Sequence, residues 1–329
     1  MLSKSDKVEI TNISNLVKQS AQYITNNSFY VKIDTQKLEE YTSNNLSKLI
    51  DNYPTWSSCH FEINKYDIET IIAYICVIDS LNFCFWPTNL LGIEFEYGDL
   101  VNSLNNMLVT NKNFFKADYL SLLKQEELQQ ILNTKCKFPL IEERCRSINE
   151  IGRFIVSNYN SSFENLLKDN NNDLNLIMTS ILQHVSTFRD ETIYKGKQIF
   201  MYKRIQILGA DLYSAMKELK TPIMLKGIEH LTMFPDYRVP QILCELGILK
   251  YNDDLLNTIK NFKEIPPNSE QEIEIRANTI TVVELMKKEL ENKLKKEIYS
   301  IHIDYLLWNE GEVMRKDIVP HHRTLTIFY

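Results

Sequence analysis

The chain reads as a mainly α protein, a single helical domain over 1–329 with few short strands. Three observations predict this. Apolar residues recur at helical spacing in nearly every readable segment, and runs that alternate apolar and polar residues are scarce. Only eight glycines occur, which leaves little material for hairpins. No Pro/Gly/Ser-rich linker and no internal repeat divides the 329 residues, a length that one large domain can hold. A hydrophobic content of 44% supplies a core of matching size.

In chain order, 1–59 is the least defined part and is read as helical. An apolar helix through Ile71, Ile72, Ile75 and Ile78 leads into Leu81-Asn-Phe-Cys-Phe-Trp-Pro87. Phe83 and Phe85 suit a helix end that plugs the core, while Asn82 must find partners if it is buried there. Gly92-Ile-Glu-Phe-Glu-Tyr97 alternates and suits a short strand or a loop. The Asn clusters at 111–113 and 170–172 are polar turns. Pro139 fits the first position of a helix striped by Ile141, Cys145, Ile148, Ile151 and Ile155. Asp173 caps a second stripe of Leu174, Ile177, Met178, Ile181, Val185 and Phe188. Ile205, Leu208, Leu212 and Ala215 mark a third, which opens with the adjacent cations Lys203 and Arg204, one expected toward solvent and the other toward a pocket. Ser269 and Glu272 form a capping box for a helix running to about Lys296, with Glu289–Lys293 and Glu291–Lys295 pairs on its surface.

Composition narrows the function. A net charge of −6 and a pI near 5.7 disfavour a wide phosphate-backbone surface, yet leave room for a pocket that holds one phosphate. The six cysteines lack C-x-x-C pairing and mostly lie in apolar runs, as buried reduced thiols do. The N-terminal residues carry no apolar signal core, and no apolar stretch approaches membrane-spanning length. The expectation is a soluble, cytoplasmic protein. Glycine-rich phosphate loops, the G-x-S-x-G elbow and H-E-x-x-H are all missing. His302 with Asp304, or His321 with His322, lacks metal-ligand spacing, so neither a metal nor another cofactor is expected.

The segment Leu231-Thr-Met-Phe-Pro-Asp-Tyr-Arg-Val-Pro-Gln241 is the densest in chemistry. Pro235 fixes its own φ and extends Phe234, so Asp236 arrives on a stiff approach. Asp236 is a good N-cap for the helix marked by Val239, Ile242, Leu243 and Leu246. A cap needs none of the surrounding Phe234, Tyr237 and Arg238. A carboxylate held beside an aromatic ring suits a developing positive charge. Asp304 and Asn309 flank the apolar run Tyr-Leu-Leu-Trp; five residues turn a helix by roughly 500°, so they converge only if the helix ends near Trp308.

These segments, with Phe188-Arg-Asp190, Phe200-Met-Tyr-Lys-Arg-Ile-Gln-Ile-Leu208, Glu272-Ile-Glu-Ile-Arg-Ala277 and His322-Arg-Thr324 with its aromatic tail, form an ordered set from about His60 to Tyr329. The set resembles the queuosine salvage protein family, the queuosine 5′-phosphate N-glycosylase/hydrolases. The resemblance implies a fold like the helix-hairpin-helix DNA glycosylases. It also implies hydrolysis of queuosine 5′-monophosphate to queuine, a 7-deazaguanine, and ribose 5-phosphate, for salvage into tRNA without direct nucleic-acid binding. By the same match, Asp236 is the catalytic carboxylate and Phe234 and the Pro235 backbone line the pocket. His60 and Asp304 contact the base, and Asn309 stands where the family usually has Asp. Lys203 and Arg323 are the candidate phosphate cations. Two other readings remain: a DNA-base glycosylase, which needs a basic groove, and a non-catalytic helical binding protein, which would leave Asp236, Asp304 and His60 scattered.

Overall fold

The computed structural model describes residues 12–47, 50, 55–86, 96–132 and 138–329. The longer helices are α1 (Ile13–Asn27), α2 (Ile68–Leu81), α3 (Tyr97–Thr110), α4 (Ile141–Tyr159), α5 (Leu174–His184), α6 (Lys203–Leu219), α7 (Arg238–Glu245), α8 (Glu270–Leu294) and α9 (Ser300–Met314). Shorter helical turns join them. Two small antiparallel pairs complete the architecture: β1 (Val31–Ile33) with β4 (Leu249–Tyr251), and β2 (Glu191–Tyr194) with β3 (Lys197–Phe200). The mainly α expectation holds.

The strands lie elsewhere than expected. Residues 91–95 fall outside the described residues, and Tyr97 opens α3 behind a capping box of Glu96 and Asp99. The β2–β3 hairpin turns on Lys195-Gly196, both at positive φ (46° and 78°), the conformation a two-residue hairpin requires. One well-placed glycine is enough, which is why a low glycine count did not exclude it.

Helix starts follow side-chain chemistry. Asp67, Asp173 and Ser269 accept from the backbone N–H groups of Thr70, Leu176 and Glu272. At α8 only half of the expected capping box closes, because the Glu272 carboxylate turns to the Asn268 N–H. Pro139 is not the first residue of α4: Leu140, in left-handed geometry, intervenes before Ile141. The expected surface pairs on α8 also rearrange. Glu289 and Lys293 both bond to Ser43, and Glu291 lies 4.0 Å from Lys287.

Packing sets the site. α2 is buried on all sides from Ile71 to Leu81 and lies between α4 and α6. α8 contacts α1, α9 and β1, and α7 rests on α9. Gly152 permits the close approach of α4 to the short helix Ala117–Ser121, since a Cβ there would stand 2.4 Å from the Ser121 nitrogen. The C-terminal end of α2, the N-terminal end of α6, the turn before α7 and the middle of α9 thereby meet. Cys76, Cys84 and Cys145 are buried free thiols, Cys59 is exposed and Cys244 half-buried, while Cys136 lies outside the described residues.

Candidate active site

The turn that carries Asp236 is held from every side. Its own N–H donates to the Phe234 carbonyl (2.7 Å), and the Phe234 N–H donates to Asp304 Oδ1 (3.0 Å). The Pro235 carbonyl accepts from Arg276 Nε (2.9 Å), and Thr232 donates through its N–H and hydroxyl to Gln206 Oε1. Asp236 Oδ1 accepts the Arg238 and Val239 N–H groups at 2.9 and 3.1 Å, so it caps α7 as its sequence position predicts. Oδ2 takes no hydrogen bond from the described residues. Asp236 and Phe234 are half-buried and Pro235 is buried.

Arg276 is the strut behind this turn. Besides Pro235 it grips Asp190 (3.0 and 2.5 Å) and Glu272 (3.2 Å), and the Tyr329 ring lies 4.3 Å from its guanidinium carbon. Asp190 also accepts the Lys203 N–H (3.3 Å), which fixes the start of α6 to the same strut. Two segments that sequence reading left as motifs, Phe188-Arg-Asp190 and Glu272–Ala277, are therefore the scaffold of the site.

Lys203 and Arg204 are both buried, contrary to the expected split between solvent and pocket. Arg204 donates to the Ser80 and Thr187 carbonyls and stacks against Phe83, whose other neighbour is the buried guanidinium of Arg144. Phe83 is the core plug expected of it. Arg144 binds the carbonyls of Leu81, Phe83 and Cys84 and so orders the whole segment. Lys203 Nζ donates to the Asn82 carbonyl and amide oxygens (3.0 and 3.1 Å), which supplies the partner that buried Asn82 needs.

Charge concentrates here. Lys203 interacts with Asp236, Asp79 and Asp304, and Asp211 lies within reach of both Asp79 and Lys203. Burial raises the Asp236 pKa above the ordinary carboxylate range, against the pull of Lys203 and the two capping N–H groups. Asp304 is raised much further, by burial and then by the charge of Asp236. Two carboxylates so close disfavour each other's charge, and the upward push is the stronger on Asp304.

His60 sits on the adjoining wall. Its Nδ1 faces the Trp56 carbonyl (3.1 Å) and its Nε2 the Tyr97 hydroxyl (2.9 Å), with Trp56 stacked at 4.2 Å. A carbonyl only accepts, so Nδ1 carries the hydrogen and Nε2 accepts from Tyr97. Burial lowers the His60 pKa to about 4, which keeps the ring neutral. Tyr97 in turn lies within electrostatic reach of Asp211 and Asp79. α9 continues past Trp308, so Asp304 and Asn309 do not converge, and Asn309 instead bonds to Tyr305. Arg323 lines a cavity of about 230 Å³ with Phe85, Arg238 and Arg315, and stacks on Phe262 at 4.7 Å. His321 bonds to the His322 carbonyl, and His322 to the Tyr329 hydroxyl. Sequence reading missed Asp79, Asp211 and Arg144; charged residues inside apolar runs were the available signal.

The half-buried Asp236 and buried Asp304, with buried Lys203 where helix ends meet on a mainly α scaffold, form a charge cluster of the enzyme type. The queuosine salvage protein model matches residues 59–329. The chain is 38% identical over 324 residues to the queuosine 5′-phosphate N-glycosylase/hydrolase of Dictyostelium discoideum, covering 95% of this chain and 98% of that protein. The mouse protein of the same name is 32% identical, at the same coverages. That of Sphaerobacter thermophilus is also 32% identical, over 84% of this chain and 86% of its own. The chain belongs to the queuosine salvage protein family.

Proposed function

We propose that this protein hydrolyses the N-glycosidic bond of queuosine 5′-phosphate, releasing queuine for salvage into tRNA and ribose 5-phosphate. Cleavage of such a bond passes through an oxocarbenium-like sugar, which a fixed anion stabilises. The observation that carries the reading is Asp236: a half-buried carboxylate locked by two N–H groups, with one oxygen left for the reacting sugar or its attacking water. Phe234 supplies the aromatic wall, and the Pro235 backbone, pinned by Arg276, keeps the carboxylate in place. Asp304, whose Oδ1 is held by the Phe234 N–H, hydrogen-bonds to the base. His60, neutral and fixed by Trp56 and Tyr97, meets the base plane.

Lys203 has its ammonium on Asn82 amid carboxylates, a setting that supports holding Asp236 charged. Arg323, beside Arg238 and Arg315, is the better-sited cation for a 5′-phosphate. Asn309 acts from α9 through Tyr305. The substrate is a mononucleotide, not duplex DNA, in keeping with the net charge of −6. Among the described residues no helix is long and apolar enough to cross a membrane. Incubation of the purified chain with queuosine 5′-monophosphate, followed by mass spectrometry of the released base, tests the reading; intact nucleotide after prolonged incubation would refute it.

A further inference from the structure

Apart from one bridge of Arg323 to Glu264, residues 321–329 form neither helix nor strand, yet His322, Thr324 and Tyr329 are buried to 2% exposure or less. Irregular chain normally runs over the surface, because its polar backbone groups lack regular partners. Here the interior supplies them: the Arg323 carbonyl accepts the Ile265 N–H (2.7 Å), and the Tyr329 carbonyl accepts the Cys84 N–H (2.8 Å). Tyr329 also stands apart from the main core, in a second buried cluster with Phe83, Cys84, Trp86 and Tyr237.

This segment grips the Asp236 turn on both flanks. On one side the Tyr329 ring faces the Arg276 guanidinium, 4.3 Å from its central carbon, and Arg276 Nε holds the Pro235 carbonyl at 2.9 Å. On the other, the His321 ring stacks on Tyr237 at 4.4 Å. Pro235 and Tyr237 are the immediate neighbours of Asp236, so the carboxylate is centred between the two contacts. The carboxylates of Asp190 and Glu272 fix the edges of the guanidinium and leave its face open. An aromatic ring covers that face and attracts the cation. The segment also reaches the loop that carries the partner of Lys203. Cys84, two residues after Asn82, stands in left-handed geometry (φ 51°), which a non-glycine residue keeps only where its surroundings impose it. Tyr329 imposes it through the Cys84 N–H, and Arg144 through the Cys84 carbonyl (3.1 Å).

We propose that Tyr329 is a positioning residue for Asp236, acting through Arg276 by the contact of its ring with the guanidinium. Buried at 2% exposure, it touches neither the nucleotide nor the reacting atoms. A displacement of about 1 Å at a reacting group slows a reaction about a hundredfold, which is why a remote buttress matters to rate. The assignment rests on the nucleotide reading above and extends it to a segment outside the Asp236 turn.

The test uses the full chain with Tyr329→Leu, which removes the ring, and Tyr329→Phe, which keeps the ring and removes the hydroxyl that bonds to His322. Gly152→Ala loosens the fold on α4, away from the turn, and serves as the stability control. Each protein is assayed well below its Tm. In Tyr329→Leu, kcat for queuosine 5′-monophosphate should fall about 10–100-fold with KM near wild type. Tyr329→Phe should restore kcat, and Gly152→Ala should leave it unchanged. Hydrogen exchange, followed by mass spectrometry of peptides from 233–241, reads the turn without substrate. The Arg238 and Val239 amides donate to Asp236, and they should exchange about tenfold faster in Tyr329→Leu alone. Unchanged kcat and exchange in a folded Tyr329→Leu protein would overturn the proposal. A rise in KM alone would also overturn it, by placing Tyr329 against the substrate. A loss shared by Gly152→Ala would trace the effect to stability, and a loss shared by Tyr329→Phe would assign it to the hydroxyl; either sinks the proposal. Should Tyr329→Leu fail to fold, Tyr329→Phe decides by that last criterion. Failure of the nucleotide reading looks different: the wild-type chain would release no base, while the exchange difference remained.

Discussion

Replacement of Asp236 by Asn separates the two jobs of that side chain. Oδ1 accepts the Arg238 and Val239 N–H groups, and the asparagine oxygen accepts them equally well. The cap, worth about 1 kcal/mol against alanine, is therefore kept. What disappears is the negative charge. Burial disfavours that charge in the resting protein, as the raised pKa of Asp236 records, so its loss does not lower stability. On the proposed chemistry the same charge faces a cationic sugar in the transition state, where one electrostatic partner contributes about 4 kcal/mol. That figure is about a thousandfold in kcat. The assay pairs release of base, followed chromatographically under saturating nucleotide, with a thermal melt and calorimetric binding of queuine. The expected outcome is kcat down by about a thousandfold or more, with Tm and base affinity near wild type. A folded Asp236→Asn protein whose kcat lies within about tenfold of wild type would remove Asp236 from the transition state.

Activity should also fall on acidification at a pH above the ordinary carboxylate range, because the proposed role needs Asp236 ionised and burial raises its pKa; a kcat/KM profile with its acid limb near the ordinary Asp value of 3.8 would contradict this. Asp304→Asn should raise Tm, since the folded state alone bears the cost of burying that carboxyl beside Asp236; differential scanning calorimetry at neutral pH reads it, and a lower Tm would show the carboxyl to be net stabilising. Arg276→Met should destabilise by about 3–5 kcal/mol, leaving Asp190 and Glu272 buried without their cation, as urea unfolding will report. Gly152→Ala should cost about 1–3 kcal/mol by the same measurement, since its Cβ meets the Ser121 backbone and not a movable side chain.

Much of this was legible in the sequence where local chemistry decides. The stripes of α4, α5 and α6 are buried as spaced, and Asp173 and Ser269 cap as expected, because a helix face and a cap depend on neighbours within four residues. Asp236 stood out for the same reason. Long-range partners were not legible. Nothing near Lys203 announces Asn82, 121 positions away, and nothing near Arg276 announces Asp190. Such pairings are fixed by how whole helices pack: adjacency sends one of Lys203 and Arg204 to solvent, whereas the end of α2 takes hydrogen bonds from both. The Glu289–Lys293 and Glu291–Lys295 pairs failed because Ser43 and Lys287 offered competing partners, a contest no linear spacing reveals.

The Glu274 carboxylate of α8 has a reach beyond its own helix. One oxygen gathers the N–H groups of Phe29, Tyr30 and Val31, and the other accepts the Tyr194 hydroxyl. Two residues along the same helix, Arg276 holds the turn of Asp236. The stretch of chain that precedes the family match at residue 59 is thus bolted to the rod that steadies the Asp236 turn. A fragment cut at that border would strand Glu274 in the interior, its anion facing empty space where three amides had been, and would strip β4 of its mate. The border of the family match runs through the middle of a mechanical part, and an engineer trimming this enzyme should cut elsewhere.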